Sequence, residues 1–166
     1  MTVTPLLLAK NLLFTVLPGS VTVLFPYWIL DSPPVWSPPE GVGSLFICLG
    51  FAIYFRCLWS FAARGGGTPA PIDAPKKLVV DGLYRYVRNP MYLGVFAVLL
   101  GETLLFRSLA LGLYSLGCFV VWHLFVLLYE EPVLSRNFGT DYDRYRDQVS
   151  RWCPRLRPAR LDETGR

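Results

Sequence analysis

The chain has 166 residues, of which 53% are hydrophobic and only 17% charged, with a net charge of +4. Soluble domains carry about 25% charged residues, and the apolar residues here fall in blocks too long for a small soluble core to bury. The basic residues flank those blocks, a placement that argues for membrane orientation and against nucleic-acid binding. The four cysteines form no CxxC pair, which argues against a disulfide or zinc framework, and a single histidine excludes a multi-histidine metal site.

The first apolar block runs from Leu6 to Leu30 and contains Pro18-Gly19 and Pro26, which predict a kink or break. A proline-rich loop without Lys or Arg follows, from Asp31 to Glu40. The second block, Gly41 to Ala63, carries Arg56. Gly65 to Pro71 is a flexible-then-stiff connector without the Gly-Lys-Ser/Thr of a phosphate loop. The third block, Met91 to Phe106, is short for a span of about 20 residues and has Glu102 near its far end. Only Arg107-Ser108 separates it from the fourth block, Leu109 to Tyr129, which predicts a tight antiparallel hairpin. In the tail, Thr140-x-x-Asp143 has the form of a helix cap, and Tyr142, Tyr145 and Val149 share one helical face. That pattern predicts an amphipathic helix on the membrane surface, ended by Pro154 and Pro158.

The expected fold is therefore all-α: one polytopic membrane domain with about four transmembrane helices and a C-terminal amphipathic helix. Its parts are two N-terminal spans (1–63), a polar loop (64–90), a helical hairpin (91–130) and a tail (131–166). Arg64, Lys76, Lys77, Arg85 and Arg88 in the loop, and eight arginines in the tail, place both on the cytoplasmic side. An even number of spans then puts the N-terminus there too, in agreement with Lys10.

Two polar clusters stand out. The stretch from Asp81 to Gly94 leads into the third block, with Asn89 as a suitable N-cap and Pro90 as a suitable first helical residue. It reads either as a helix start with interfacial tyrosines and arginines, or as a ligand cradle. In a cradle, Arg85 and Arg88 clamp a carboxylate or phosphate and Gly82 lets backbone approach a ligand. The second cluster is His123, Glu130 and Glu131, in which a seven-residue step puts His123 and Glu130 on one helix face. Adjacent carboxylates at a helix C-terminus oppose its dipole and need a cation: a ligand, or Arg85 or Arg88. His123 also fits as a packing histidine bonded between helices.

In order along the chain, TPAP, LVVDGLYRYVRNPMYLG and HLFVLLYEEPVLSRNFGTDYDRYRDQVSRWCPRL resemble the isoprenylcysteine carboxyl methyltransferase-like family of membrane methyltransferases, neighbours of the phospholipid N-methyltransferases. The resemblance covers about Gly65 to Leu156. It implies an S-adenosylmethionine-dependent methyltransferase that acts on a lipophilic or membrane-embedded acceptor from a cytoplasm-facing pocket. The family's box falls on Tyr84, Arg85, Arg88, Pro90, Tyr92 and Gly94, its acidic pair on Glu130 and Glu131, and its tail aromatics on Tyr142 and Tyr145. Gly82 and Asn89 lie within the same cofactor-binding stretch. For methyl transfer, Arg88, Glu130 and His123 are the candidates for catalysis, His123 or a glutamate serving as base if the acceptor is an amine. Asn89 stands where the family often has histidine, and Leu83 where it often has proline. Asn89 still donates and accepts hydrogen bonds but is no base near neutral pH. Two other classes fit parts of the pattern: an NADPH-dependent membrane reductase, and a non-enzymatic four-helix scaffold or transporter.

Overall fold

The computed structural model describes residues 18–30, 39–60 and 78–159. The start of the first block, the proline-rich loop up to residue 38, the glycine connector, Lys76, Lys77 and the last arginines lie outside the described residues. Among the described residues every regular element is helical. We number the helices α1 (Ser20–Ile29), α2 (Pro39–Ser60), α3 (Pro90–Phe106), α4 (Leu109–Phe138) and α5 (Thr140–Gln148). A short 3-10 turn, Gly82–Arg85, precedes α3.

Two stretches are long and apolar enough to cross a membrane, Gly41–Ser60 in α2 and Leu109–Phe138, which is α4. α1 and α3 are apolar but shorter. The outer face of α4 exposes Leu113, Leu116, Val121, Leu124 and Leu128, and α2 exposes Leu45, Leu49, Phe55 and Trp59. Exposed apolar area on this scale is the surface of a chain solvated by lipid.

α2 and α3 form the tightest seam, and the reason is the glycines. A Cβ added at Gly50 would lie 2.5 Å from the Gly94 carbonyl oxygen, and one at Gly101 would lie 2.6 Å from the Gly43 carbonyl oxygen. Gly43 and Gly50 on α2 thus face Gly101 and Gly94 on α3, two turns apart on each helix, and backbone meets backbone. In lipid, where burial of apolar side chains gains little, such close approach is a main source of helix association.

The α3–α4 hairpin forms as its two-residue spacer requires. Arg107 takes a left-handed conformation (φ 49°), and the Ser108 side chain caps α4 by accepting from the Leu111 N–H. Both helices continue the contact with Thr103 Oγ1 and Ser115 Oγ 3.3 Å apart.

Prolines shape the other helices in a common way. A π turn, Ser20–Leu24, ends two residues before Pro26, and another, Val126–Glu130, ends two residues before Pro132. A π turn widens the register ahead of a proline whose ring and missing N–H spoil the α register. In α1 the Phe25 N–H bonds back to the Ser20 carbonyl. In that register the Val21 carbonyl would need the N–H that Pro26 lacks, and Tyr114 Oη donates to it instead at 3.0 Å. The expected kink is thus resolved as a π turn, and α1 is tied to α4.

The second π turn corrects the expected end of the fourth helix. The helix does not stop at Tyr129; it passes through Val126–Glu130 and continues to Phe138. Glu130 and Glu131 are therefore mid-helix groups, and repulsion from a helix C-terminus does not apply to them. The extra residue also breaks the simple seven-residue phase between His123 and Glu130.

The tail helix α5 is capped otherwise than expected. Gly139 (φ 52°) is its N-cap, Thr140 makes no side-chain cap bond, and Asp143 pairs with Arg146 on the exposed face. Tyr142, Tyr145 and Val149 do share one face, but it packs on the protein itself, against Leu78, Val80, Leu134, Phe138 and Ala159. The apolar face expected on the membrane surface is consumed by an internal core.

Candidate functional site

The polar end of the molecule is built where the 3-10 turn enters α3, where α4 passes its second π turn, and where the chain after α5 returns. That returning segment, Val149 to Ala159, is a strap. The Arg88 N–H donates to the Ser150 carbonyl, the Arg155 N–H to the Tyr86 carbonyl and the Ala159 N–H to the Arg85 carbonyl, each at 2.9 Å. Arg85 closes the far end, its Nε and Nη2 donating to the Ala159 carbonyl at 3.0 and 2.8 Å. The Asn89 side chain donates to the Arg151 carbonyl at 3.2 Å and makes no cap bond, so Asn89 holds the strap instead of capping α3. Pro90 is at the helix start, as its fixed φ favours.

The two carboxylates have different surroundings. Glu131 is buried and takes two hydrogen bonds from Arg151, Nε to Oε1 at 2.6 Å and Nη2 to Oε2 at 2.9 Å. Arg88 Nη1 approaches the same Oε1 at 3.2 Å. This is a triad of one carboxylate and two guanidiniums, and it holds Arg151 more firmly protonated. Glu130 has no cation partner among the described residues. Its Oε2 accepts a hydrogen bond from Tyr92 Oη at 3.0 Å. Arg88 Nε is likewise buried without a hydrogen-bond acceptor among the described residues. One carboxylate without a cation and one guanidinium N–H without an acceptor thus remain in the same cluster.

Tyr84 and Tyr145 form the floor. Tyr145 Oη donates to the Tyr84 carbonyl at 2.8 Å, and both rings are buried. Burial pushes both phenols above their ordinary range, and the Arg88 charge works against that rise for Tyr145. Tyr142, buried beside them, is raised for the same reason, with Glu131 adding to the effect. Gly82, at φ +60°, supplies the left-handed turn that starts the 3-10 segment, with Ser60 Oγ and the Arg56 guanidinium nearby.

His123 has a defined partner. Trp152 Nε1 donates to His123 Nδ1 at 2.9 Å. This bond ties the His123 ring on α4 to the strap.

A sequence profile of the phospholipid methyltransferase family matches residues 42–141. The chain belongs to the phospholipid methyltransferase family. It is also 37% identical, over 117 residues, to a protein-S-isoprenylcysteine O-methyltransferase of Schizosaccharomyces pombe. That match covers 66% of this chain and 47% of the relative, so the chain spans about half the length of the curated relative it matches. The family match contains the glycine seam, the 3-10 turn, Arg88, Tyr92, Glu130 and Glu131, and ends just inside α5.

Several predicted site residues are brought together: Tyr84, Arg88, Asn89, Tyr92, Glu130, Glu131, Tyr142 and Tyr145 surround the carboxylate pair and the strap. Others are elsewhere or otherwise engaged. Arg85 holds the Ala159 carbonyl and pairs with neither glutamate. Gly94 belongs to the seam, 2.9 Å from the Gly50 carbonyl once a Cβ is added, and its smallness serves helix packing. Arg151 and Trp152 were missed by sequence reasoning. Arg151 was one of eight tail arginines, and no local pattern distinguishes the one that reaches Glu131.

Proposed function

We propose that this protein is an S-adenosylmethionine-dependent methyltransferase whose acceptor is lipophilic and approaches from the membrane. Four apolar helices, α1 to α4, would then cross or enter the bilayer as one domain, with the arginine-rich loop and tail on the cytoplasmic side. Family membership supports the reaction class. The observation that carries the cofactor reading is the complementary pair in one cluster: Glu130 without a cation, and Arg88 Nε without an acceptor. A zwitterionic cofactor offers both missing partners, and the residues present fit it.

When bound, S-adenosylmethionine supplies an activated methyl group, so the protein's task is alignment and exclusion of water. In this reading Arg88 orients an anionic oxygen, and Glu131 and Arg151 hold Arg88 in place. Glu130 faces the cationic part of the ligand. Tyr92 fixes the Glu130 carboxylate through Oη, and Tyr84, Tyr142 and Tyr145 keep the floor dry. Asn89 and Arg85 hold the strap over the cluster. A carboxylate acceptor needs no base; for an amine acceptor, Glu130 is the group placed to take the proton.

The experiment is a calorimetric titration of the detergent-purified protein with S-adenosylmethionine and, in parallel, with NADPH. Micromolar binding of S-adenosylmethionine alone is the expected result. Binding of NADPH alone would replace this reading with a reductase, and binding of neither would remove the enzyme reading for the protein in that state.

A further inference from the structure

We propose that the outer edge of the strap, Cys153 to Pro158, is a docking tip for anionic phospholipid, with Leu156 entering the bilayer surface and Arg155 and Arg157 meeting phosphates. The proposal goes beyond the reaction and rests only on the reading that the apolar helices lie in a bilayer. Its test reads neither cofactor binding nor methyl transfer, so the two can fail separately.

The strap has two sides. Its inner side is engaged with the protein: Trp152 donates to His123, the Trp152 ring lies 6.3 Å from that of Tyr92, and Val149 and Ala159 are buried. On its outer side every residue from Cys153 to Pro158 is exposed. Leu156 is 100% exposed, more than any other large apolar side chain among the described residues. This is not the exposure of a loose end. The Tyr86 carbonyl holds the Arg155 N–H, the Arg85 carbonyl holds the Ala159 N–H, and Pro154 and Pro158 restrict the backbone beside them. An apolar side chain held outward by such bonds has much of its ordering cost already met before it binds.

Charge and position identify what the tip meets. No Asp or Glu lies between Gln148 and Ala159. Of the three arginines in that stretch, Arg151 is taken by Glu131, Arg155 Nη1 donates to the Gln148 carbonyl, and Arg157 has no partner among the described residues. Two exposed guanidiniums flanking an exposed leucine suit a layer of phosphates with apolar chains beneath it. The level also fits. The tip hangs from Arg85 and Tyr86, at the end of the 3-10 turn and just before α3 begins. At the start of the same turn, a Cβ added at Gly82 would lie 3.6 Å from Ser60 Oγ, and the neighbouring Trp59 is 69% exposed at the end of α2. An exposed indole at the end of an apolar helix marks the bilayer boundary. An acidic protein would match the arginines but would offer the leucine no apolar layer to enter.

The test uses the full chain in lipid nanodiscs, with the native Cys153 thiol as reporter. Its reaction with a neutral, membrane-impermeant maleimide is timed by peptide mass mapping, in discs of phosphatidylcholine alone and of phosphatidylcholine mixed with phosphatidylglycerol. Anionic lipid should slow Cys153 about tenfold, the scale of two arginines at an anionic surface. High salt should restore most of the rate. An anionic surface also lowers the thiolate fraction of a nearby thiol, and the Arg155→Gln/Arg157→Gln double variant separates the two causes: it should lose the protection and keep only that general effect. Leu156→Ser should weaken the protection. These side chains are exposed, and an unchanged melting temperature checks that the variants fold; the lipid and salt comparison on the unaltered chain stands without them. Equal rates in the two kinds of disc, or slowing of the same size in the double variant, overturn the proposal. Protection by soluble polyglutamate in phosphatidylcholine discs, with none from phosphatidylglycerol, also overturns it and gives the tip to an acidic protein.

Discussion

The α2–α3 seam and the polar end are both tightly built, by opposite means. At the seam, side chains are absent: Gly43, Gly50, Gly94 and Gly101 let two backbones touch. At the polar end, long charged side chains span the gaps: Arg85, Arg88 and Arg151 reach a carbonyl or a carboxylate from different segments. With the seam in the bilayer and the polar end at its surface, as proposed above, the contrast follows from solvent. Within lipid, dispersion between close surfaces is available and charge is costly. At the interface, charge is tolerated, and a strap with no secondary structure of its own needs partners for its N–H groups and carbonyls. The seam is rigid by shape and the polar end by pairing, so they should fail differently.

The largest effect is expected at the seam. Gly50→Leu must push a side chain into the Gly94 carbonyl and Val98, and should abolish recovery of monodisperse protein from detergent. Gly117→Leu, which meets no neighbour within 4 Å, should purify normally. Equal yields from both would show that the close approach does not hold the helices.

Next is the carboxylate pair. Glu131→Ala removes the partner of two guanidiniums, one of them buried, and should destabilise the protein by about 3 kcal/mol. Glu130→Gln removes no ion pair and should shift the melting temperature little. Thermal denaturation of both variants in one detergent checks the division; equal destabilisation would contradict it.

A smaller effect comes from Tyr145→Phe, which breaks the bond to the Tyr84 carbonyl and should cost about 1–2 kcal/mol. The same phenols sharpen the comparison by their titration. Burial raises Tyr84 and Tyr145 above the ordinary value near 10. Protonated phenols then favour the folded state, so their contribution is full below pH 10 and is lost as the pH rises further. Phenolate absorbance from these two residues should appear only with unfolding. Its appearance at pH 10 in folded protein would mean the floor is open to water.

Much of this was legible in the sequence because it is local. Apolar blocks, the Arg107-Ser108 hairpin, Pro90 at a helix start and the shared face of Tyr142, Tyr145 and Val149 are set by spacing and backbone preference. The linear motifs that carry the family resemblance named Arg88, Tyr92, Glu130 and Glu131 as one group. What failed was local reading applied to non-local facts. Asn89 has a capping residue's chemistry but spends its donor on the strap. The fourth apolar block ends at Tyr129, but the π turn carries the helix past Pro132. Gly94 lay inside a binding motif, and its contact across the seam with Gly50 is visible only in three dimensions.

By itself, then, the sequence determined that the chain is helical and apolar with its chemistry at one end, since hydrophobic patterning and proline chemistry act within a few residues. Only the tertiary structure decided which of two adjacent glutamates is ion-paired, which tail arginine pairs with it, and that Trp152 meets His123 and Tyr92. Those outcomes depend on where a strap 20 to 60 residues distant in sequence returns, and no local propensity encodes that.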